Sequence, residues 1–232
     1  MKRKIFAACA LAMALMALTG CSNSASDQPK DDPAPAPGSA SEGTVTEGKT
    51  VSPLPSGIDP EHLEDCTVAV SFDKGDAYVD DTGAMQLKVK VYDYDLYDMA
   101  DVSALQVGDK ITFCREDVEV TSLERDDDGT VVINGGLENG GIELVSNDST
   151  AYYADGFDDM KQYYELGEAT VPVSADEFTF VDSSDLDKDP VTYYPGDLLM
   201  EDSEFEYNFT PNNTTLTVQG GYAVHLERVY NP

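Results

Sequence analysis

The sequence lacks tryptophan and has only two histidines among its 232 residues. Nucleophilic catalysis by Ser or Cys needs a base, usually histidine, and a third group that orients the base. The two histidines, His62 and His225, lie at positions typical of surface or pairing residues. The lack of tryptophan also argues against a glycosidase, because such enzymes commonly stack sugars on this residue. The sequence therefore predicts no catalytic residue and a protein that is not an enzyme.

Basic residues are scarce as well, with 14 Lys and Arg against 45 Asp and Glu and a formal net charge of −31 at pH 7. A surface this acidic repels the phosphates of nucleic acids and of anionic lipids. A glycine-rich phosphate loop is also missing, because Gly135, Gly136, Gly140 and Gly141 follow a predicted hairpin and precede no helix. Nucleic acid is therefore excluded as a partner, whereas a cation or a basic protein is compatible with the charge.

The longest apolar run lies at the N terminus, where residues 5–18 follow Lys2, Arg3 and Lys4. Its 14 residues rise about 21 Å as a helix, which is short of the roughly 30 Å of hydrocarbon in a bilayer. A basic head followed by a short apolar run is typical of a secretory signal peptide. The sequence predicts an export signal here and no permanent span.

The apolar run ends in Leu18, Thr19, Gly20 and Cys21, which resembles the lipobox of bacterial lipoproteins. The resemblance covers residues 1–21 and carries no information about the rest of the chain. It implies that residues 1–20 are removed and that Cys21 receives a diacylglycerol and a fatty acyl chain such as palmitate. The protein would then be held by the lipid bilayer of a bacterial cell membrane, facing the extracytoplasmic side.

Residues 21–60 are rich in Ser, Asp, Pro, Ala and Gly. Such a composition cannot bury enough apolar surface to offset the entropy of the chain. We predict the lipidated cysteine and a disordered linker over residues 21–60. Residues 61–232 are long enough for one extracytoplasmic domain, which could also be two packed units of residues 61–146 and 147–232.

Apolar and polar residues alternate through much of residues 61–232, which is the pattern of β-strands. The predicted strands span residues 67–72, 86–91, 110–113, 118–123, 130–133, 169–173, 177–181, 215–218 and 222–230. Helical spacing is limited to Phe157, Met160 and Tyr164, and to a turn or two from Pro195 to Leu199. The predicted fold is mainly β, a compact antiparallel β-barrel or sandwich with one or two short helices.

Two strands carry a specific prediction about register. After Gln86 the apolar residues change face at Tyr92, which requires a bulge or a strand that passes from one sheet to another. In the last hairpin, a three-residue loop would place Leu216 opposite Leu226 and gather the apolar side chains on one face. We predict this odd-length loop, with a bulge, although Gly220 and Gly221 would also suit a two-residue turn.

Cys66 and Cys114 are the two cysteines that remain after the signal peptide and the lipidated residue. Outside the cytoplasm they could form a disulfide, which would contribute about 4 kcal/mol in the chain-entropy model. Against this pairing, Cys66 belongs to an apolar strand face and Cys114 follows polar residues. Two thiols are too few for a closed structural zinc site. The sequence leaves the disulfide open.

A run of acidic residues could bind calcium, which prefers carboxylate oxygens. The residues are Asp182, Asp185, Asp187 and Asp189. Their spacing resembles the start of an EF-hand loop, but Pro190 and Gly196 replace the required Gly and Glu. A calcium site of another kind or a plain solvated loop would both explain the run.

Tyrosines alternate with acids in one segment, where Tyr92, Tyr94 and Tyr97 interleave with Asp93, Asp95 and Asp98. Exposed tyrosines flanked by acids would suit a cationic peptide or a glycan. The alternative is that these rings fill the sheet in place of the missing tryptophan. We therefore consider Tyr92, Tyr94 and Tyr97 as candidate binding residues.

Taken together, these patterns predict a membrane-anchored extracytoplasmic lipoprotein with a non-enzymatic binding or structural β-domain. Its partner would be an envelope protein, a cationic peptide or a glycan. Two alternatives remain, a carboxylate-dependent hydrolase of cell-wall or environmental polymer and a structural module stabilised by calcium.

Overall fold

The computed structural model describes residues 48–147, 150–157, 160–200 and 205–231. The predicted signal peptide, Cys21 and the linker as far as residue 47 lie outside these residues. The described part is mainly β, which confirms the predicted fold class. The strands are β1 (Thr50–Val51), β2 (Cys66–Ser71), β3 (Ala77–Val79), β4 (Met85–Tyr94), β5 (Leu96–Asp98), β6 (Lys110–Phe113), β7 (Glu116–Glu119), β8 (Leu123–Arg125), β9 (Val131–Ile133), β10 (Ile142–Asn147), β11 (Ala151–Ala154), β12 (Tyr163–Pro172), β13 (Thr179–Ser183), β14 (Val191–Tyr193), β15 (Thr214–Gln219) and β16 (Tyr222–Val229).

The strands form three sheets. The largest has the order β12-β4-β2-β15-β16-β13-β14, with β3 also paired to β4, and it curls into a half-barrel. A five-stranded sheet has the order β5-β11-β10-β9-β8, and a three-stranded sheet has the order β1-β6-β7. Most neighbours are antiparallel, but β1 runs parallel to β6 and β13 runs parallel to β16.

Helices are short in the described residues. The helix α1 (Met99–Ser103) begins after Asp98, whose side chain accepts a hydrogen bond from Ala100 N. A 3-10 helix spans Pro195–Leu199, as predicted. Among the described residues, no helix has both the length and the apolar character needed to cross a membrane.

Two hydrophobic clusters hold the fold, and both lie within one compact unit, Val45–Pro232. The first cluster belongs to the large sheet and draws on residues 63–91 and 169–226. The second draws on Val51 and residues 97–154. Residues 63–91 therefore belong to the first cluster, residues 97–154 to the second, and residues 169–226 again to the first. A boundary at residue 146 would divide both clusters, since each has members on either side.

The folded part begins earlier than residue 60, where the linker was predicted to end. β1 pairs with β6, and Val51 is 1% exposed within the second cluster. Leu54 N then donates to Leu96 O at 2.6 Å. A two-residue strand contributes too little apolar sequence to stand out from the Ser- and Pro-rich composition around it.

The helix expected from the spacing of Phe157, Met160 and Tyr164 does not reach Tyr164, and residues 158 and 159 of this prediction lie outside the described residues. Tyr164 lies in β12, which pairs with β4 over most of its length. Long-range pairing of this strand decides its conformation, because a few residues at helical spacing stabilise a helix only weakly.

The last hairpin contradicts the predicted loop length but confirms one predicted pair. Gly220 and Gly221 both have positive φ, 55° and 78°, and form a two-residue turn. The register then shifts by one residue between Thr217 and Val218, so that Leu216 pairs with Leu226 after all. Both leucines are fully buried. The two glycines can adopt the positive φ angles that the two-residue turn requires. That turn alone would place Leu216 opposite His225, and the bulge restores the pairing of Leu216 with Leu226.

The chain passes from the large sheet to the five-stranded sheet after Tyr94, but the buried face of the strand does not change at Tyr92. β4 pairs with β12 and β2 in the large sheet, whereas β5 pairs with β11 in the five-stranded sheet. Burial stays on the odd-numbered residues, so Asp93 and Asp95 occupy inward positions where the passage occurs. Two carboxyl groups are therefore buried between the two sheets.

Candidate functional site: an acidic cleft at the edge of the large sheet

A cleft of about 990 Å³ lies beside β13, β14 and the end of β16. Its volume falls within the usual range for ligand sites. Among its described lining residues, five carboxylates face two cations: Asp182, Asp185, Asp187, Asp189 and Glu206 against Lys188 and Arg228. We call it the acidic cleft. All four aspartates that the sequence singled out belong to it.

The floor of the acidic cleft is an ion pair between Asp182 and Arg228, and Arg228 is only 4% exposed. Asp182 in β13 lies opposite Arg228 in β16. Arg228 Nε donates to Asp182 Oδ1 at 3.0 Å, and Nη2 donates to Oδ2. Nη1 donates to Glu206 O. The floor is thus neutral, and every nitrogen of the guanidinium group has a partner.

Aromatic rings enclose the same arginine. The guanidinium carbon lies 4.8 Å from the ring centroid of Phe209 and 5.7 Å from that of Phe180. Burial alone would raise the pKa of Asp182, but hydrogen bonds from Arg228 and Ser184 outweigh it and hold that pKa below its ordinary value. Asp182 therefore stays ionised and paired with Arg228.

The carboxylates above the floor differ in how far their charge is compensated. Asp185 Oδ2 lies 2.7 Å from Lys188 Nζ, and this hydrogen bond lowers the pKa of Asp185. Asp187, Asp189 and Glu206 are exposed and make no ion pair with any described cation. These three residues leave the cleft with a surplus of negative charge.

The rim of the acidic cleft includes exposed apolar side chains beside its charged ones. Four of its lining residues are large hydrophobic side chains with 41–73% of their surface exposed: Leu186, Val191, Val229 and Tyr230. Carboxylates in a groove with an apolar rim suit a ligand that carries positive charge beside apolar groups.

Calcium at this loop stays a prediction. In the part of the chain that the structure describes, no group of three or more His, Cys, Asp or Glu is placed to hold a metal ion. Two of the four predicted ligands already have cationic partners, Asp182 with Arg228 and Asp185 with Lys188.

The three candidate tyrosines lie away from the acidic cleft. Tyr97 is fully buried, with its hydroxyl 2.9 Å from Thr112 O and 3.2 Å from Asp95 Oδ2, so it cannot belong to a surface patch. Tyr92 and Tyr94 are half-buried. Only these two can contact a ligand, and the sheet-filling alternative applies to Tyr97.

Asp95 is the carboxyl group with the least ordinary surroundings. It is 2% exposed, and its Oδ2 accepts hydrogen bonds from Cys114 N at 2.7 Å and from Tyr97. The Tyr164 side chain is a further hydrogen-bond partner of this carboxyl group. Oδ1 of Asp95 has no hydrogen-bond partner. Burial, with a smaller contribution from Asp93, raises the pKa of Asp95. A perturbed carboxyl group can mark a catalytic site, but Asp95 does not line the acidic cleft.

Both remaining cysteines are free thiols in the structure. Cys66 lies in β2, and Cys114 lies in the turn between β6 and β7 with a φ of 47°. Burial raises the pKa of both thiols, that of Cys114 to about 11. Few thiolates are present at neutral pH, so neither cysteine is an activated nucleophile. Neither histidine lines the cleft; His225 bonds Thr179 and His62 bonds Asp59.

Lys188, Glu206 and Arg228 are the charged residues of the described cleft lining that the sequence pattern did not predict. Arg228 stands two residues after the buried Leu226, at a strand position that faces inward. A basic residue at an inward-facing strand position indicates a buried ion pair, and this is the sequence feature that could have identified Arg228. Glu206 gives no comparable signal.

No protein-family model, curated protein or solved structure matches this chain.

Proposed function

We propose that this protein is a membrane-anchored extracytoplasmic binding module, without enzymatic activity, whose acidic cleft takes a cationic peptide segment. The observation that carries the proposal is the surplus of exposed carboxylates, Asp187, Asp189 and Glu206, above the neutral Asp182–Arg228 ion pair. The attachment to the membrane rests on the resemblance of residues 18–21 to a lipobox.

A peptide fits the cleft better than a bare cation does. Lysine side chains would place their ammonium groups near the exposed carboxylates, while their neighbours contact the apolar rim. Each exposed ion pair contributes only about 0.2–1 kcal/mol, so affinity must come from several pairs acting together. The net charge of −31 would also steer a basic partner toward the domain, in a manner that salt weakens.

A hydrolase has less support. General acid catalysis by a carboxyl group at neutral pH needs a raised pKa. In the cleft, the pKa values of Asp182 and Asp185 are held below the ordinary value by their cationic neighbours. A lowered pKa keeps both carboxylates ionised at neutral pH, which favours binding of a cation and disfavours donation of a proton.

Binding of hexalysine to the full chain tests the role of the cleft. We expect the double substitution Asp187→Asn and Asp189→Asn to weaken binding about 2- to 30-fold, because it removes two exposed pairs of about 0.2–1 kcal/mol each. The measurement is isothermal titration calorimetry at low ionic strength.

A matched control removes the same charge elsewhere. Asp126 and Asp127 are exposed in the turn between β8 and β9, and changing both to Asn should leave hexalysine binding within twofold of the unmodified chain. Equal weakening by both double variants would mean that the whole acidic surface attracts the peptide and that the cleft has no special role.

The anchor has its own test, which is cell fractionation after the substitution Cys21→Ser. We expect the variant to leave the membrane fraction or to retain its uncleaved signal, because serine has no thiol to receive the diacylglycerol. A Cys21→Ser protein that is cut, lipid-labelled and still bound to membranes would contradict the anchor.

A further inference from the structure

A second cavity, of about 460 Å³, lies at one end of the large sheet. Three connections meet there: the turn between β3 and β4, the connection from β12 to β13, and the turn between β15 and β16. Pro195, the first residue of the 3-10 helix, lines the cavity as well. We call it the sheet-end cavity. Its described lining shares no residue with that of the acidic cleft.

Backbone hydrogen bonds join the walls of the sheet-end cavity to one another. Val173 N donates to Met85 O at 2.9 Å, and Ser174 N donates to Ala223 O at 3.0 Å. Pro172 precedes these residues, and its ring fixes its φ. The fold therefore holds the cavity in shape before a ligand binds, which lowers the entropic cost of binding.

The described lining of the sheet-end cavity is largely apolar and carries a single charge. Glu177 is its only charged residue, and this exposed carboxylate makes no ion pair with a described cation. Tyr222 is 52% exposed and offers an aromatic surface. The larger apolar members of the described lining are Met85, Pro172, Val173, Pro195 and Tyr222.

We infer that the sheet-end cavity binds a small organic ammonium ion, whose charged group pairs with Glu177 and whose apolar body contacts the walls. An ammonium group donates hydrogen bonds that a carboxylate accepts. The apolar walls favour a ligand with an aromatic or branched aliphatic body. The described lining of the acidic cleft takes no part in this site, so the inference does not depend on the proposed function.

Other classes of ligand fit the sheet-end cavity less well. An anion would find no cationic partner among the described lining, and the net charge of −31 would repel it. A hard metal ion such as calcium takes about six to eight oxygen ligands, whereas a single carboxylate lines this site. The volume of about 460 Å³ lies in the range of sites for small molecules.

The test is fluorescence titration of the full chain with 2-naphthylmethylammonium and with the neutral analogue 2-naphthylmethanol, at physiological salt to screen remote carboxylates. We expect Glu177→Gln to weaken ammonium binding about fivefold and to leave the alcohol within twofold, because only the ammonium loses its partner. Glu177→Asp keeps the charge and should retain ammonium binding to within twofold. Tyr222→Ala should weaken both probes at least threefold, because its ring contributes apolar surface and no charge.

Two controls remove carboxylates outside the described lining of the cavity. Asp176→Asn changes the exposed neighbour of Glu177, and the double substitution Asp187→Asn and Asp189→Asn changes the acidic cleft. Both should leave ammonium binding within twofold of the unmodified chain. The inference is overturned if the ammonium probe does not bind saturably, if the alcohol binds as tightly, if Tyr222→Ala leaves both titrations unchanged, or if either control weakens ammonium binding as much as Glu177→Gln does.

Discussion

Replacing Arg228 with alanine should lower the free energy of unfolding by about 3–5 kcal/mol, because it leaves the Asp182 carboxylate, whose side chain is only 12% exposed, without its partner. The substitution also removes the contacts of the guanidinium group with Phe180 and Phe209. Chemical denaturation monitored by circular dichroism measures the change. The substitution would therefore remove the ion pair at the floor of the acidic cleft and also destabilise the protein.

Two further variants separate the ion pair from general packing. Lys188→Ala breaks an exposed pair with Asp185 and should cost less than about 1 kcal/mol. The double substitution Asp182→Leu and Arg228→Met removes both charges and should recover most of the stability lost in Arg228→Ala. A loss below 1 kcal/mol for Arg228→Ala, or a double variant no better than the single one, would show that the pair is not what holds the floor.

Replacing Asp95 with asparagine should raise the free energy of unfolding at pH 7 by about 1–3 kcal/mol, since a buried and incompletely bonded carboxylate carries a penalty of that order. The pKa of Asp95 is raised in the folded protein. The folded state therefore takes up the proton more readily than the unfolded state, and Asp95 destabilises the fold when ionised. That penalty is relieved as the pH falls through the folded pKa toward the ordinary value.

The pH profile of unfolding gives the decisive comparison. The unmodified chain should receive from Asp95 a stabilising contribution on mild acidification that Asp95→Asn lacks. Asp80→Asn is the control of opposite sign, because hydrogen bonds from Thr82 and Gln86 lower the pKa of Asp80 to about 2. The contribution of Asp80 is complete above the ordinary aspartate pKa and is lost as the pH falls toward 2. An Asp95→Asn protein that is less stable than the unmodified chain at both neutral and mildly acidic pH would contradict the assignment.

Strands with a buried and an exposed face could be predicted from the sequence, and strands that depend on distant partners could not. β2, β6 and β15 follow clear alternation, and their predicted bounds agree with the structure to within one residue. β14 has three residues between two prolines and exists because it pairs with β13. β11 likewise needs both β10 and β5 to complete it.

The predicted strand at residues 118–123 fails for a local reason. Asn134 Oδ1 accepts hydrogen bonds from Thr121 N and Ser122 N, and Asn134 itself has a positive φ of 55°. These bonds hold residues 121 and 122 in a turn, so β7 ends at Glu119 and β8 begins at Leu123. The alternation of apolar and polar residues over a short segment cannot reveal this contact, because Asn134 lies twelve residues after Ser122 in the sequence.

The acidic loop of the cleft was visible in the sequence because its four aspartates are close together. The partner of Asp182 was not, since the parallel pairing of β13 with β16 brings in Arg228 from 46 residues away. The contact of Tyr94 with Lys161 has the same origin in long-range pairing, here of β4 with β12. Local patterns thus indicated the charge of the cleft, while the tertiary fold decided which charges remain available.

Carbodiimide cross-linking of hexalysine to the full chain, followed by mass spectrometry, tests most directly whether the acidic cleft is the binding surface. This chemistry joins a lysine amine to any carboxylate in contact with it, so the cross-linked residues report where the peptide lies. We expect the products to concentrate on Asp187, Asp189 and Glu206, and to be reduced by salt. Products spread over exposed acids such as Asp126 and Asp127, with no excess at the cleft, would contradict the proposed function.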